Sequence, residues 1–360
     1  MKWEKCVLGD IIEIKKGSYI TKKEANDGPY PVILGGQEPA YYIDRFNHTG
    51  KAIVVSRSGA SAGFVSRWDE PIFVTDGFLI EPKETVTFDF LYYLMKMHQP
   101  QLQGLQGGAA IPHVNPRIIS AIEIVLPPIN KQQHIVSVLS PYDTLIENNQ
   151  KQIKLLEEAA QRLYKEWFID LRFSGYENTP VHDGVPEGWE RKSVGELIGK
   201  VHRTTQIMTS DYLDDGDIPV IDQSRDFIAG YTNDPDSLVD LGMPVIVFGD
   251  HTRILKFITF PFAKGADGTQ LIISADARMP QTLLYCSLVN VDLSNYHYAR
   301  HFKYLKAEEI LVPTHDIARS FEIITAPVFE QIQCLRDENA HAERARDRLL
   351  PKLMSGEIEV

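Results

Sequence analysis

The sequence of 360 residues is poor in cysteine and contains no long apolar run. Its three cysteines, Cys6, Cys286 and Cys334, form no Cys-x-x-Cys pair, so we expect reduced, structural thiols. No run approaches the roughly 20 apolar residues that a membrane-spanning helix needs. The N-terminal segment Met1–Cys6 has no apolar signal core behind its lysine. These absences predict a cytoplasmic protein with no membrane partner.

Catalytic motifs are also absent from the sequence. A methyltransferase needs an Asn/Asp-Pro-Pro-aromatic motif, but Leu126–Ile129 lacks both the polar head and the aromatic residue. His297 and His301 have metal-compatible spacing without the expected glutamate. His251 beside Asp250 has no nucleophile coupled to it, which favours a structural histidine. We therefore expect a non-catalytic chain with no metal and no cofactor of its own.

Positive charge is scarce, since 37 Lys and Arg stand against 49 Asp and Glu for a net charge of −12. Taken alone, this acidity argues against a nucleic-acid partner, because binding phosphate needs local positive charge. The charge is unevenly spread, however, and residues 1–130 carry 13 basic against 14 acidic side chains. The net charge does not determine where on the surface the potential is positive, and a basic partner subunit would help to offset the acidity of the chain.

What the sequence does contain is an internal repeat. Trp3-Glu4 recurs as Trp189-Glu190, and Ile124–Pro127 recurs as Ile310–Pro313, both at an offset of 186 residues. Between these anchors the offset drifts, so the two halves share a framework and differ in its middle. Further pairs at 186 are Leu8–Ile12 with Val194–Ile198, Pro141 with Pro327, and Arg162-Leu163 with Arg348-Leu349.

The repeat divides the chain into module, helix, module and helix. We predict a first module over 1–130, a first helix region over 131–174, a linker over 175–188, a second module over 189–315 and a second helix region over 316–360. Asp76-Gly77 between two apolar runs predicts a tight turn. Apolar runs predict strands over Ala52–Ser56 and Val245–Phe248, and helical spacing predicts helices over Phe88–Met97 and Pro280–Leu288.

The two helix regions carry heptad-like seams. Ser140-Pro141 predicts the start of the first helix, because serine caps and proline suits the first turn. We interpret the seams as partners of each other rather than of their own modules. The first seam is Ile146, Asn149, Ile153, Leu156, Ala160, Leu163 and Trp167, and the second is Ile332, Leu335, Asn339, Ala342, Arg346, Leu349 and Leu353.

The expected fold is α+β, with two mixed, strand-rich modules related by pseudo-two-fold symmetry. Two long antiparallel helices that form a coiled coil would join the modules. From Pro141 to Ile169 such a helix spans roughly 43 Å, which is about one turn of DNA or slightly more. Two unlike modules held in this way could read two unlike half-sites on one face of DNA.

These features resemble the specificity subunits of Type I restriction-modification systems over nearly the whole chain. The second module departs from the family pattern in one segment. Asn295–Lys303 occupies the position where a copy of Gly-Ala-Ala-Ile-Pro is expected. The resemblance is carried by Trp3–Ile11 and its echo Val185–Leu197, by Gly107–Ile119, by Ile124–Ile135, which leads into the helix, and by Arg348–Gly356.

The resemblance implies two target recognition domains and two spacer helices in a DNA-reading subunit that is not itself an enzyme. It implies two methyltransferase subunits docked on the helices, and restriction and translocase subunits that join this core. Those partners would supply the chemistry of S-adenosylmethionine, ATP and Mg.

Polar loop residues next to strands are the candidates for contact with double-stranded DNA, because base edges are read by Arg, Gln and Asn and phosphates are held by Lys and Ser. In the first module these are Lys15, Lys16, Ser18, Tyr19, Thr21, Lys22, Lys23, Gln37, Arg57, Ser58, Gln103, Gln106, His113 and Asn115. In the second module they are His202, Arg203, Thr204, Thr205, Gln206, Gln223, Arg225, His251, Thr252, Arg253, Arg300, His301 and Lys303.

Other functions stay open at this stage. The acidity slightly favours a scaffold that binds proteins and no nucleic acid. The chain could also be the recognition subunit of a related multi-subunit methyltransferase. A nuclease or methyltransferase in its own right is disfavoured by the missing motifs.

Overall fold

The computed structural model divides the chain into two compact units. The first unit comprises Met1–Glu147 with Asn339–Val360, and the second comprises Asn148–Glu338. Each unit therefore takes part of both long helices. The residues that the structure describes are 3–21, 23, 26–34, 38–104, 113–296 and 300–359.

The first unit begins with a strand-rich module. Its elements are β1 Glu4–Val7, α1 Leu8–Ile11, β2 Ile12–Lys16, β3 Tyr30–Ile33, β4 Tyr41–Ile43, β5 Ala52–Ser56, β6 Val65–Trp68, β7 Phe73–Val74, β8 Gly77–Pro82, α2 Phe88–Met97, α3 Gln99–Gly104, α4 Pro116–Ser120 and β9 Glu123–Leu126. The long helix α5 Ile129–Tyr164 follows and ends in a π-helical turn over Lys165–Ile169.

The second unit has a similar order of elements after a short hairpin of β10 Val181–His182 and β11 Val185–Pro186. Its elements are β12 Glu190–Ser193, α6 Val194–Leu197, β13 Ile218–Ile221, β14 Gly230–Thr232, β15 Leu238–Val239, β16 Val245–Gly249, β17 Leu255–Ile258, β18 Phe262–Lys264, β19 Thr269–Ile272, α7 Gln281–Val289, α8 Phe302–Ala307 and β20 Glu309–Val312. The chain then enters the second long helix, α9 His315–Ser355.

The strand pairing confirms the internal repeat. In the first unit β1 pairs with β9 so that Glu4 faces Leu126, and in the second β12 pairs with β20 so that Glu190 faces Val312. Both partners of the second pair are 186 residues beyond those of the first. In each unit a parallel pair also joins equivalent strands, β3 with β7 and β13 with β18.

The predicted strands β5 and β16 and the predicted helices α2 and α7 are confirmed, and the predicted turn at Asp76-Gly77 joins strands of two different sheets. Strand β7 pairs with β3, whereas β8 pairs with β2 and β5, so the turn passes the chain from one sheet to another. Phe73–Val74 and the first four residues of β8 are buried on both faces. Strands that are apolar on both faces need cover on both sides, which an isolated hairpin does not provide.

The predicted helix start at Ser140-Pro141 is wrong, since α5 begins at Ile129 and Pro141 lies inside it. Ile135 and Leu139, which precede the proline, are buried in the first core. Burial of these two side chains offsets the hydrogen bond that the proline nitrogen cannot donate.

The two long helices run antiparallel, as predicted. In the second unit Asn149 donates to Glu338 at 2.7 Å, and further along α5 Glu157 accepts from Arg336 at 2.8 Å. Along this contact the residue numbers of α5 thus rise as those of α9 fall. Of the seam residues, Ile146, Asn149, Ala160, Ile332, Leu335, Asn339, Ala342 and Leu353 are buried, and Ile153, Leu156, Leu163, Trp167, Arg346 and Leu349 are half-buried.

Each unit has its own core, and both helices contribute to each. Ile135 of α5 and Leu353 of α9 belong to the first core, and Tyr164 of α5 and Ile332 of α9 belong to the second. The length of the helical spacer and the symmetry between the modules stay predictions.

The helix seam predicts a sharp contrast between two isoleucines of α9. Ile332 is 1% exposed in the second core, whereas Ile323 is 65% exposed. We expect Ile332→Ala to lower the free energy of unfolding by about 2–4 kcal/mol, because it leaves a cavity. Ile323→Ala should change it by less than about 0.5 kcal/mol. Urea denaturation followed by circular dichroism checks both values, and equal losses would contradict the seam.

Candidate nucleic-acid interface

Four of the predicted DNA-contacting residues of the first unit line one cleft. Lys16 ends β2, Arg57 follows β5, and His113 and Asn115 precede α4. The cleft has a volume of about 310 Å³ and is also lined by Phe78, Val114 and Pro116. The fold therefore brings together side chains that lie up to 99 residues apart in sequence.

Backbone pairing and one carboxylate hold this cleft in shape. The amide of Val114 donates to the carbonyl of Arg57 at 2.9 Å, and Ser58 forms a β-bridge with His113. Asp76 lies 3.6 Å from the Arg57 guanidinium and accepts a hydrogen bond from the Ser58 hydroxyl. In the sequence Asp76 has only the signature of a turn residue, but in the fold its carboxylate orients the arginine that we expect to read DNA.

The other candidates of the first unit are spread around this cleft with different roles. Lys15 lies 2.5 Å from Glu81, whose hydrogen bond raises the pKa of the lysine. The amide oxygen of Asn115 caps α4 by accepting from Arg117, so its amide nitrogen is the group that remains to donate. Exposed side chains are Ser18, Tyr19 and Lys23, half-buried ones are Thr21, Ser58 and Gln103, and Lys22, Gln37 and Gln106 lie outside the described residues.

In the second unit, Gln223 ties three loops together. Its side-chain nitrogen donates to the carbonyl of Asp267 at 2.7 Å, and its side-chain oxygen accepts from the amide of His251 at 3.1 Å. The Thr252 hydroxyl donates to the Gln223 carbonyl at 2.7 Å. Gln223 therefore positions its neighbours, and the side chains of His251 and Thr252 are exposed.

Arg253 stands beside these residues in a left-handed backbone conformation, with φ of 64°. Its Nη1 donates to the carbonyl of Leu293 at 3.1 Å, which leaves most of the guanidinium edge accessible. Gln206 donates to the carbonyl of Gly265 at 3.2 Å. Other exposed candidates of this unit are His202, Arg203, Thr205, Arg225, Arg300 and Lys303, and Thr204 is half-buried.

His301 does not belong to this surface. Its side chain is buried, and its two ring nitrogens lie 2.9 Å from the carbonyl oxygens of Asp250 and Tyr296. Asp250 in turn accepts from the amide of Phe302 at 2.7 Å and is itself buried. We correct His301 to a structural residue, because backbone carbonyls already occupy its two ring nitrogens.

No cluster of three or more His, Cys, Asp or Glu that could hold a metal ion occurs within the described ranges. His297, one half of the histidine pair noted in the sequence, falls outside them. Within the same ranges, no helix is both long and apolar enough to cross a membrane.

The two units differ most in the loops that carry the candidates. The loop after β5 has eight residues, 57–64, whereas its counterpart after β16 has five, 250–254. The flanking strands pair antiparallel in both units. A common framework with unlike loops suits two recognition modules that bind different targets.

The chain is similar to several known proteins. Residues 1–158 match the family described as the Type I restriction modification DNA specificity domain. The chain is 28% identical over 407 residues to the Type I restriction enzyme MjaIX specificity subunit of Methanocaldococcus jannaschii, covering 99% of this chain and 94% of that protein. It is 28% identical over 209 residues to the MjaVIII specificity subunit of the same organism, over 54% of this chain and 49% of that protein.

Among solved structures, the fold is similar to the crystal structure of a Type I restriction-modification system S subunit from M. genitalium. The TM-score is 0.59 at 18% sequence identity, over 98% of this chain and 96% of that chain. At this identity the likeness concerns the fold.

Two glycines of the loop 57–64 give a test of its packing. Gly59 and Gly63 both have positive φ, of 79° and 86°, but only Gly63 packs closely, since a Cβ there would lie 2.7 Å from the Leu102 carbonyl carbon. A Cβ at Gly59 would meet no described atom within 4 Å. We expect Gly59→Ala to cost about 1–2 kcal/mol through backbone strain and Gly63→Ala at least about 1 kcal/mol more. Denaturant titration measures both, and equal costs would contradict the packing of this loop.

Proposed function

We propose that this chain, whose residues 1–158 match the Type I restriction modification DNA specificity domain, reads an asymmetric, bipartite DNA site. Each unit would read one half-site with its own loops. The observation that carries this proposal is the repeated strand framework with unlike polar loops, each supported by a separate core.

In the first unit the proposed reading residues are Arg57 and His113, with Lys16 holding phosphate. Arginine presents paired donors that match the guanine edge in the major groove, whereas lysine acts as a point charge on the backbone. Asp76 supports this division, because it fixes the orientation of Arg57 before DNA arrives. In the second unit Arg253 and Arg225 take the equivalent role.

The net charge of −12 sets a condition on this function. Affinity for DNA depends largely on how many phosphates are neutralised. We expect the chain alone to bind DNA weakly and with strong salt dependence, and basic partner subunits to supply many of the phosphate contacts.

The partners that we propose are two methyltransferase subunits on the long helices, with restriction and translocase subunits joining through them. In this proposal the present chain is non-catalytic, and the partners bring S-adenosylmethionine, ATP and Mg. Exposed apolar side chains support docking on the helices, since Leu155 of α5 and Ile323 and Ile324 of α9 lie at the surface of the second unit.

A scaffold that binds only proteins is the second candidate, and the acidity favours it. Selection from random-sequence duplexes, with and without the methyltransferase partners, separates the two. Enrichment of a bipartite motif, with affinity that falls as salt rises, supports DNA reading. Failure to enrich any sequence at low salt would leave the scaffold as the better account.

Arg57→Ala and Arg253→Ala should each weaken recognition of a different half-site of the selected motif. Each should weaken binding by about 1–3 kcal/mol if the arginine contacts a base. Arg162→Ala is a suitable control, because Arg162 is exposed on α5 and its guanidinium lies 3.6 Å from the carboxylate of Glu158 in the same helix. Fluorescence anisotropy against the motif and against each half-site scrambled measures the effect. A loss that is equal for all sequences would make these residues phosphate contacts instead.

A further inference from the structure

One loop of the second unit is tied directly to the long helices. We call residues 222–229, which join β13 to β14, the second reading loop. It carries two of the candidate DNA-contacting residues, Gln223 and Arg225. What holds this loop therefore bears on what the second unit can read.

The first tie is an arginine of α9. The guanidinium carbon of Arg336 lies 4.0 Å from the centroid of the Phe227 ring, within the second reading loop. Phe227 also packs edge-on against Phe260, with ring centroids 6.1 Å apart. An arginine over an aromatic face is attracted by the ring's quadrupole, more strongly when water is excluded. The ring is thus held between a helix and a strand connection.

Arg336 is itself held across the helix pair. Its Nη2 donates to the carboxylate of Glu157 on α5 at 2.8 Å, and its side chain is only 24% exposed. Burial lowers the pKa of Arg336 and raises the pKa of Glu157, and each charge opposes the shift of the other. The ion pair with Glu157 therefore holds the guanidinium of Arg336 against the Phe227 ring.

A buried lysine forms the second tie. Nζ of Lys256 on β17 donates to the carbonyl of Asp226 at 2.5 Å and lies 3.9 Å from the Asp222 carboxylate. Its side chain is 4% exposed, and burial lowers its pKa. Two cationic side chains, Lys256 and Arg336, thus hold the second reading loop at Asp222, Asp226 and Phe227.

The first unit uses its interhelix arginine differently. Arg346 of α9 pairs with Asp143 of α5 at 2.6 Å, and Asp143 also accepts from the Tyr93 hydroxyl at 2.5 Å. Tyr93 belongs to α2, which carries none of the candidate DNA-contacting residues. Arg346 is therefore a matched control for Arg336: it is buried to a similar degree and ion-paired, but its described contacts do not reach a reading loop.

We propose that Arg336 is a positioning residue for recognition of the second half-site, acting by holding Phe227 and with it the loop that carries Gln223 and Arg225. The proposal rests on the proposed DNA-reading function, since it assigns to a spacer-helix residue a part in choosing the sequence. Arg336 itself does not contact DNA in this account.

The test compares three variants of the full chain: Arg336→Met, Arg336→Lys and Arg346→Met. Each is taken through selection from random duplexes, as for the wild type, and through hydrogen exchange of peptides covering 222–229. We expect Arg336→Met to reduce discrimination at the second half-site by about tenfold and to speed exchange in the second reading loop. Discrimination at the first half-site should not change.

The other two variants separate positioning from general stability. Arg336→Lys keeps the pairing with Glu157 but loses the planar stack, so discrimination should recover only in part. Arg346→Met should leave exchange in 222–229 at the wild-type rate, although it removes an ion pair of similar burial. If Arg346→Met reduces discrimination at the second half-site as much as Arg336→Met does, the effect comes from general stability and the proposal is overturned.

Two further outcomes are distinguishable. Unchanged exchange in 222–229 together with an unchanged motif in Arg336→Met would overturn this inference and leave the proposed function intact. A wild-type chain that enriches no sequence would overturn the proposed function and, with it, the role in recognition assigned to Arg336.

Discussion

The packing of α5 against α9 is the constraint on which the rest of the structure depends. Ile135 of α5 and Leu353 of α9 lie in the same buried cluster as the strands of the first unit, and Tyr164 and Ile332 do so in the second. Neither set of strands completes its core alone, because each needs apolar side chains from both helices. Separating the helices would therefore expose both cores to water, at a cost that grows with the apolar area uncovered.

The framework could be predicted because apolar patterns report burial directly. The 186-residue offset in the sequence reappears as strand register, with Glu4 facing Leu126 and Glu190 facing Val312. Local patterns did not report which distant residues an element contacts. A turn at Asp76-Gly77 says that the chain reverses but not which sheet it joins next. Pro141 suits a first helical turn, yet long-range burial of Leu139 extends α5 past it.

The candidate interface was predictable as a set of loops but not residue by residue. Polar side chains next to strands did gather at clefts, as Lys16 and Arg57 do. The sequence cannot tell whether a polar side chain meets water or a backbone carbonyl, however, and that difference separates Arg253 from His301. Asp76 and Arg336 gave no signal as supporting residues, since their roles exist only through contacts that the fold creates.

The interhelix polar contacts show why the two halves can differ in specificity and keep one framework. Asp143 and Arg346 form an ion pair in the first unit, whereas the positions 186 residues away, Phe329 and Ala160, are buried apolar residues in the second. Exchanging a buried ion pair for well-packed apolar residues of similar volume is often close to neutral in stability, because the desolvation of two charges offsets their attraction. Such positions can therefore change with little effect on the fold. The apolar seam cannot change so freely, because each lost methylene leaves a cavity that the helices do not close. Polar contacts are thus free to serve a loop in one unit, as Arg336 serves Phe227, while the shared apolar register keeps both units folded.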